Sequence, residues 1–266
     1  MQRKFANQVE LGKQPDPKLL SVVVPAYNEE EVLREFHNRR SAVLESMSVK
    51  GEVVYVNDGS TDDSLSIMQS LREVDSRIAI VDLSRNFGKE IALTAGLDHA
   101  SGDAVVVIDA DLQDPRQLIP EMTKYWMNAY DVVNATRVAR DGESVAKKAT
   151  AHLFYRLMQM VSHVKIPRDT GDYRLLSRRA VDALKQLREK HRFMKGLFAW
   201  IGFPQKAVPY RRDPRYAGQT KWNYWRLWNF ALEGITSFTT APLKVASSLG
   251  IVTALAAFSG SSRAAW

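Results

Sequence analysis

Two aspartates one residue apart, Asp109 and Asp111, close the run VVVIDADLQDP from Val105 to Pro115. Asp109 aside, the run is apolar as far as Ala110, so carboxylates stand at the mouth of a strand of the buried kind. Side chains alternate along an extended backbone, so both acids leave on one side while Ala110 points away. Carboxylates this close repel, and one pKa rises, unless a cation lies beside them. Mg²⁺ or Mn²⁺ suits such oxygens and is typically held by one or two acids plus substrate phosphates. A solvated loop or a helix cap can also read Asp-x-Asp; placement directly after a buried-type strand favours metal and phosphate chemistry.

Polar groups close other apolar runs as well. LLSVVVP (Leu19–Pro25) leads into Tyr27, Asn28 and Glu29, and EVVYVND (Glu52–Asp58) ends in Asn57 and Asp58. In an open parallel sheet, ligands bind beyond the carboxyl ends of the strands, where helix N-termini point. IAIVDLS (Ile78–Ser84) and DVVNATR (Asp131–Arg137) complete five β-branched runs, separated by segments long enough for helices at 29–46, 62–74, 89–100 and 115–129. In GSTDD, Ser60 is placed to cap the second helix, with Asp63 at the capping-box position. This alternation predicts a doubly wound α/β unit over about 19–140, a mostly parallel sheet flanked by helices. After Arg140 the chain turns helical, with a short strand near 207–210, and is expected to pack onto the first half as one continuous unit.

The chain has 266 residues, a formal charge of +7 and no cysteine, which excludes disulfides and thiolate metal sites and favours anionic partners. No nucleic-acid recognition motif accompanies that charge. Met1 to Lys18 is polar and carries no signal-peptide core. Val245 to Phe258 is almost wholly apolar but shorter than the ~18 residues of a spanning helix, and it reads as the beginning of a truncated membrane helix or, alternatively, as a buried C-terminal helix. Just before it, Trp222, Trp225 and Trp228 recur at helical spacing beside Lys221 and Arg226, the pattern of an interfacial amphipathic helix. AKKATAHLFYRLMQMVSHVK reads either as a second interfacial helix or as core; its His152 and His163 lack ligand spacing.

Taken in order, VVVPAYNEEE, VNDGSTDDS, SRNFGKEIALTAGLDHASGD, VIDADLQDP, GDYRLLSR and RYAGQTKW resemble the inverting nucleotide-sugar glycosyltransferases of the GT-A fold. Within them the chain is most similar to the polyprenyl-phosphate glycosyltransferases, the group of dolichyl-phosphate mannose synthase and the bactoprenol glucosyltransferases. The resemblance spans about Leu19 to Pro242 and implies four regions: a polar extension (1–18), a GT-A catalytic domain (19–215), interfacial helices (216–242) and the start of a truncated membrane helix plus tail (243–266). It implies that Pro25, Tyr27, Glu29 and Asp58 frame the base and ribose, and that Asp109 and Asp111 handle Mg²⁺ or Mn²⁺ and the diphosphate, with Gln113 close by. Arg215, Thr220 and Lys221 match the family's phosphate-contacting motif. Asn57 stands where many relatives carry a second acid.

Lys89, at a helix start, is a further donor-side candidate, and Arg137 and Arg140 are candidates for acceptor phosphate. Asp172 is open to two roles, catalytic base or a group orienting Arg174 or a loop. The implied reaction moves a sugar, glucose from UDP-glucose, to polyprenyl (undecaprenyl) phosphate at the cytoplasmic face of the inner membrane; a homo-oligomer is compatible with it. Two alternatives remain at this point: a transferase with a saccharide acceptor, and a non-catalytic nucleotide-sugar or lipid binder.

Overall fold

The computed structural model describes residues 18–47, 49–115, 117–138, 170–187, 194–211 and 246–254. The chain divides into two compact units, Met1–Asp141 with Pro167–Thr220 and Gly142–Ile166 with Lys221–Trp266. Residues 167–220 of the second half thus belong to the same unit as the first half.

In the first unit the five β-branched runs are strands β1 (Leu19–Ala26), β2 (Lys50–Asn57), β3 (Ile78–Asp82), β4 (Ala104–Val107) and β5 (Val132–Arg137). Thr170–Ser177 adds β6, which the apolar pattern does not announce, and Gln205–Tyr210 is β7. They form one sheet in the order β3-β2-β1-β4-β6-β5-β7. β1, β2, β3 and β4 pair in parallel, as do β5 and β7; β6 alone is reversed, wedged antiparallel between β4 and β5. That reversal places the beginning of β6 beside the carboxyl end of β4.

Helices α1 (Leu33–Ser46), α2 (Ser64–Val74), α3 (Lys89–His99), α4 (Leu118–Met127), α5 (Arg178–Gln186) and α6 (Met194–Trp200) fill the connections. Val22, Val24, Val106 and Ile108 share one core with Phe36 of α1, Met68 of α2 and Ile119 of α4. Their neighbours Val23, Val105 and Val107, equally buried, point to the opposite face. There α3 presses so close that a Cβ on Gly96 would fall 2.3 Å from Val23 Cγ1, which only glycine avoids. Both faces are covered, as near-continuous apolar strands require.

Ser60 does not cap α2. Its Oγ accepts the Asn28 backbone N–H at 3.0 Å, and α2 begins instead after Asp63, whose side chain makes no capping bond. The bonds across to the loop after β1 outcompete the local box: Asn28 and Thr61 share three, and Glu30 accepts the Asp63 N–H at 2.9 Å. The two loops at the ends of β1 and β2 thus form one laced rim.

In the second unit, residues 246–254 are helical, and Leu249, Ile251 and Val252 are exposed. No helix among the described residues is long and apolar enough to cross a membrane, so the membrane helix expected over 243–266 is not seen there.

Candidate active site

Ile108, Ala110 and Leu112 all enter the core, and Asp109 turns to the other side, where it meets Lys89 of α3. The loop is held under strain. Leu112 has φ 59°, a left-handed conformation unfavourable for leucine, and Asp111 Oδ1 accepts the Gln113 N–H at 3.1 Å across it. Gln113 is buried and its Oε1 finds no hydrogen-bond partner among the described residues. The two carboxylates are hard oxygen donors of the kind Mg²⁺ or Mn²⁺ takes. No cluster of three or more His, Asp or Glu able to hold a metal occurs among the described residues, so such an ion would complete its shell with substrate phosphate.

Opposite Asp109 lies a residue that only the reversed strand could bring there. Val107 of β4 pairs with Arg174 of β6, and two residues further along this register sets Asp172 beside Asp109. Lys89, the first residue of α3, bridges them, with Nζ 2.6 Å from Asp109 Oδ1 and 2.6 Å from Asp172 Oδ2. Crowding by protein pulls the Lys89 ammonium down, but the two carboxylates outweigh it and hold it above the ordinary lysine range. For Asp172, burial pushes upward and is overcome by Lys89, Lys195 and Arg174, which together hold the carboxyl well below the usual range.

Arg174 does not pair with the Asp172 carboxylate. Buried and stacked 3.8 Å from the Phe198 ring centroid, it turns back on its own strand and donates to the carbonyls of Gly171 at 2.7 Å and Asp172 at 3.3 Å. Burial pulls its pKa down to about 10 against the pull of Asp172 and Glu90. The guanidinium shapes the backbone from which Asp172 projects.

Asp58 is buried, and both of its oxygens are in use: Oδ1 accepts the Phe87 N–H at 2.8 Å and Oδ2 the Gly88 N–H at 3.0 Å. Burial raises its pKa against those two bonds. The carboxylate therefore anchors the turn that delivers Lys89, with Gly88 at φ 93° making the bend. Asn57 fits the place of a second acid for a structural reason: its amide donates to Asp82 Oδ1 at 2.7 Å, where a carboxylate would repel. Pro25, Tyr27 and Glu29 lie along the end of β1 as expected, with Tyr27 and Glu29 partly exposed. Arg137 ends β5 and feels the charges of Asp114 and Asp109, so it too faces this end of the sheet. Arg140, Arg215, Thr220, Lys221, the three tryptophans of the 222–228 segment, His152 and His163 lie outside the described residues.

Glu90 is a site neighbour that sequence inspection passes over. Next to Lys89, it accepts the Met194 N–H at 3.0 Å and so ties α3 to the first turn of α6. Burial and then Asp172 push its pKa up to about 7 from 4.5, against Met194, Lys89 and Lys195. Because the folded state binds more protons between those values, Glu90 makes stability fall as pH rises across that window and contributes its full penalty above it. Glu90→Gln keeps an oxygen for the Met194 N–H and removes the titration. Its melting temperature should exceed that of the parent at about pH 7.5 and converge toward it at about pH 4.5; parallel melting curves over that range would exclude this coupling.

Ligands of open α/β sheets bind beyond strand ends like this one, and the sheet has the GT-A glycosyltransferase fold. The fold matches a mannosyltransferase from Pyrobaculum calidifontis, solved with GDP-Man and Mn²⁺, with a TM-score of 0.58 and 20% identity, over 82% of this chain and 62% of that one, less than two thirds of its length. Residues 21–185 match the model of glycosyl transferase family 2, and the chain belongs to that family. It is 52% identical over 236 residues to the uncharacterized glycosyltransferase sll0501 of Synechocystis, covering 89% of this chain and 74% of the relative. It is 45% identical over 239 residues to the prophage bactoprenol glucosyl transferase homolog of Escherichia coli K12, covering 90% and 78% respectively.

Proposed function

We propose that this glycosyltransferase moves glucose from UDP-glucose to a membrane polyprenyl phosphate, undecaprenyl phosphate in a bacterium, with inversion at the sugar carbon. The acceptor is supported by the 45% identical relative named for bactoprenol. A divalent ion is supported by the Mn²⁺ in the solved mannosyltransferase and by the carboxylates of Asp109 and Asp111 just beyond β4.

The observation that carries the choice of acceptor is the state of Asp172. A general base works best with a pKa near the operating pH. Asp172, bridged by Lys89 and held far down, is a poor proton acceptor, which disfavours a saccharide hydroxyl. A phosphate monoester needs no such help, since its second pKa is about 6 and it arrives ionised. Of the roles weighed for Asp172, the catalytic base fits poorly; its carboxylate meets neither a base's requirement nor Arg174, and instead holds the Lys89 ammonium.

In this reading Pro25, Tyr27 and Glu29 line the nucleoside end, while Asp109 and Asp111 would hold Mg²⁺ or Mn²⁺. When bound, the ion supplies charge stabilisation to the departing diphosphate. Lys89 adds a second positive charge on the same side, and Arg137 faces the acceptor phosphate. Arg140, Arg215, Thr220 and Lys221 are assigned to phosphate contacts on the family resemblance alone. Contact with the cytoplasmic face of the inner membrane is proposed through the tryptophan-bearing 222–228 segment and the exposed apolar side chains of 246–254.

Incubation with radiolabelled UDP-glucose and vesicles containing undecaprenyl phosphate, followed by solvent extraction, should move label into the lipid phase, and chelator should abolish it. Label passing instead to a soluble saccharide, with none in the lipid, would reject the proposed acceptor.

A further inference from the structure

Behind the acidic loop lies a set of buried polar groups that donor and acceptor binding leave unexplained. Tyr210 closes β7, is 5% exposed, and its hydroxyl donates to Asp114 Oδ1 at 2.6 Å. The Tyr210 hydroxyl oxygen in turn accepts from Arg137 Nε at 3.3 Å. Asp114 is itself buried, and its carbonyl receives Arg40 of α1 at 3.3 Å. Arg40 is 3% exposed, with its guanidinium over the Phe36 ring and Nη1 lacking a hydrogen-bond partner among the described residues. Tyr173 of β6 donates to the Pro115 carbonyl at 3.2 Å and packs edge-on against Tyr210, ring centroids 6.2 Å apart.

Burying charged groups this deeply is costly, and apolar side chains would stabilise the same layer as well or better. What the arrangement supplies is rigidity from several elements at once, in a loop that must keep Leu112 in its left-handed conformation. Strained backbone persists only where the surroundings over-determine it.

We propose that Tyr210 is a positioning residue for sugar transfer: its hydroxyl yokes the loop bearing Asp109 and Asp111 to Arg137. It thereby fixes the spacing between the donor-side carboxylates and the acceptor-side guanidinium. The yoke deepens the reading given above and rests on it where Arg137 is taken to meet acceptor phosphate. Burial and the neighbouring Asp114 raise the phenol's pKa, which keeps the donating proton in place.

Tyr210→Phe deletes one oxygen and keeps the ring packing against Tyr173. With UDP-glucose, Mn²⁺ and undecaprenyl phosphate vesicles, we expect kcat/KM to fall about tenfold, the scale of one lost hydrogen bond to a charged group. The KM for lipid phosphate and the half-saturating Mn²⁺ concentration should both rise, while the melting temperature moves by no more than about 3 °C. Arg137→Lys should also impair transfer, and adding Tyr210→Phe to it should cost little more, since either change cuts the yoke. Parental kcat and both saturation constants in Tyr210→Phe, or strict additivity with Arg137→Lys, would overturn the proposal. A parental enzyme that labels no lipid rejects the acceptor assignment instead; the yoke is then judged by Mn²⁺ and UDP binding to the two proteins, and equal affinities would overturn it.

Discussion

Lys89→Met is expected to lower turnover by about a thousandfold, the scale of removing a preorganised charge from a transition-state site. The ammonium lies 2.6 Å from both Asp109 and Asp172, so its loss leaves two carboxylates from adjacent strands facing one another. Like charges at that spacing cannot both stay ionised at little cost, and one would take up a proton. Stability should respond less than activity. The Lys89 side chain is 42% exposed, which screens the pairs toward the exposed ion-pair scale of about 1 kcal/mol or less. The pH dependence has a definite sign. In the parent, the lowered pKa of Asp172 contributes stability above the ordinary carboxylate range, and that contribution disappears as pH falls. The parent's advantage over Lys89→Met should therefore be largest at neutral pH and shrink toward about pH 4. Turnover with saturating donor and melting curves at both pH values test this together. A variant with near-parental kcat would make the lysine bridge an incidental surface pair.

How much of this site could be read from the sequence depends on the sheet register. The ends of β1, β2 and β4 were legible because each apolar run stops at polar residues, and Lys89 was legible as a helix start. β6 was not, because TGDYRLLS buries Arg174 among its apolar residues and alternates poorly, the signature of neither a surface strand nor a buried parallel one. Without β6 reversed between β4 and β5, nothing places Asp172 next to Asp109. The purpose of Asp58 was hidden for a different reason. An acid after a strand suggests a ligand contact, and nothing local announces that its oxygens also accept two backbone N–H groups about thirty residues downstream. The Asp114, Tyr210 and Arg40 contacts were equally invisible, since they join α1, the acidic loop and the last strand. Local patterns specify elements; the partners of buried polar groups are settled only by topology.

Asp111→Asn is the cleanest test of the proposed metal chemistry, because the amide oxygen can still accept the Gln113 N–H that spans the Leu112 turn. The loop should keep its shape while the site loses one negative charge. Turnover is expected to fall by at least about a thousandfold, as for loss of a group stabilising charge in the transition state. Folding should change by less than about 1 kcal/mol, the ordinary range for a partly exposed polar exchange. Asp109→Asn makes an informative contrast: Asp109 also holds Lys89, so that change should disturb Asp172 as well and cost more stability. Mn²⁺ titration separates the possibilities. If Asp111 serves the ion, excess Mn²⁺ will recover only a small part of the lost activity and the binding isotherm of the variant will weaken. Full transfer by Asp111→Asn in excess Mn²⁺, with unchanged metal affinity, would move the ion away from this loop and leave Lys89 as the positive charge facing the departing diphosphate.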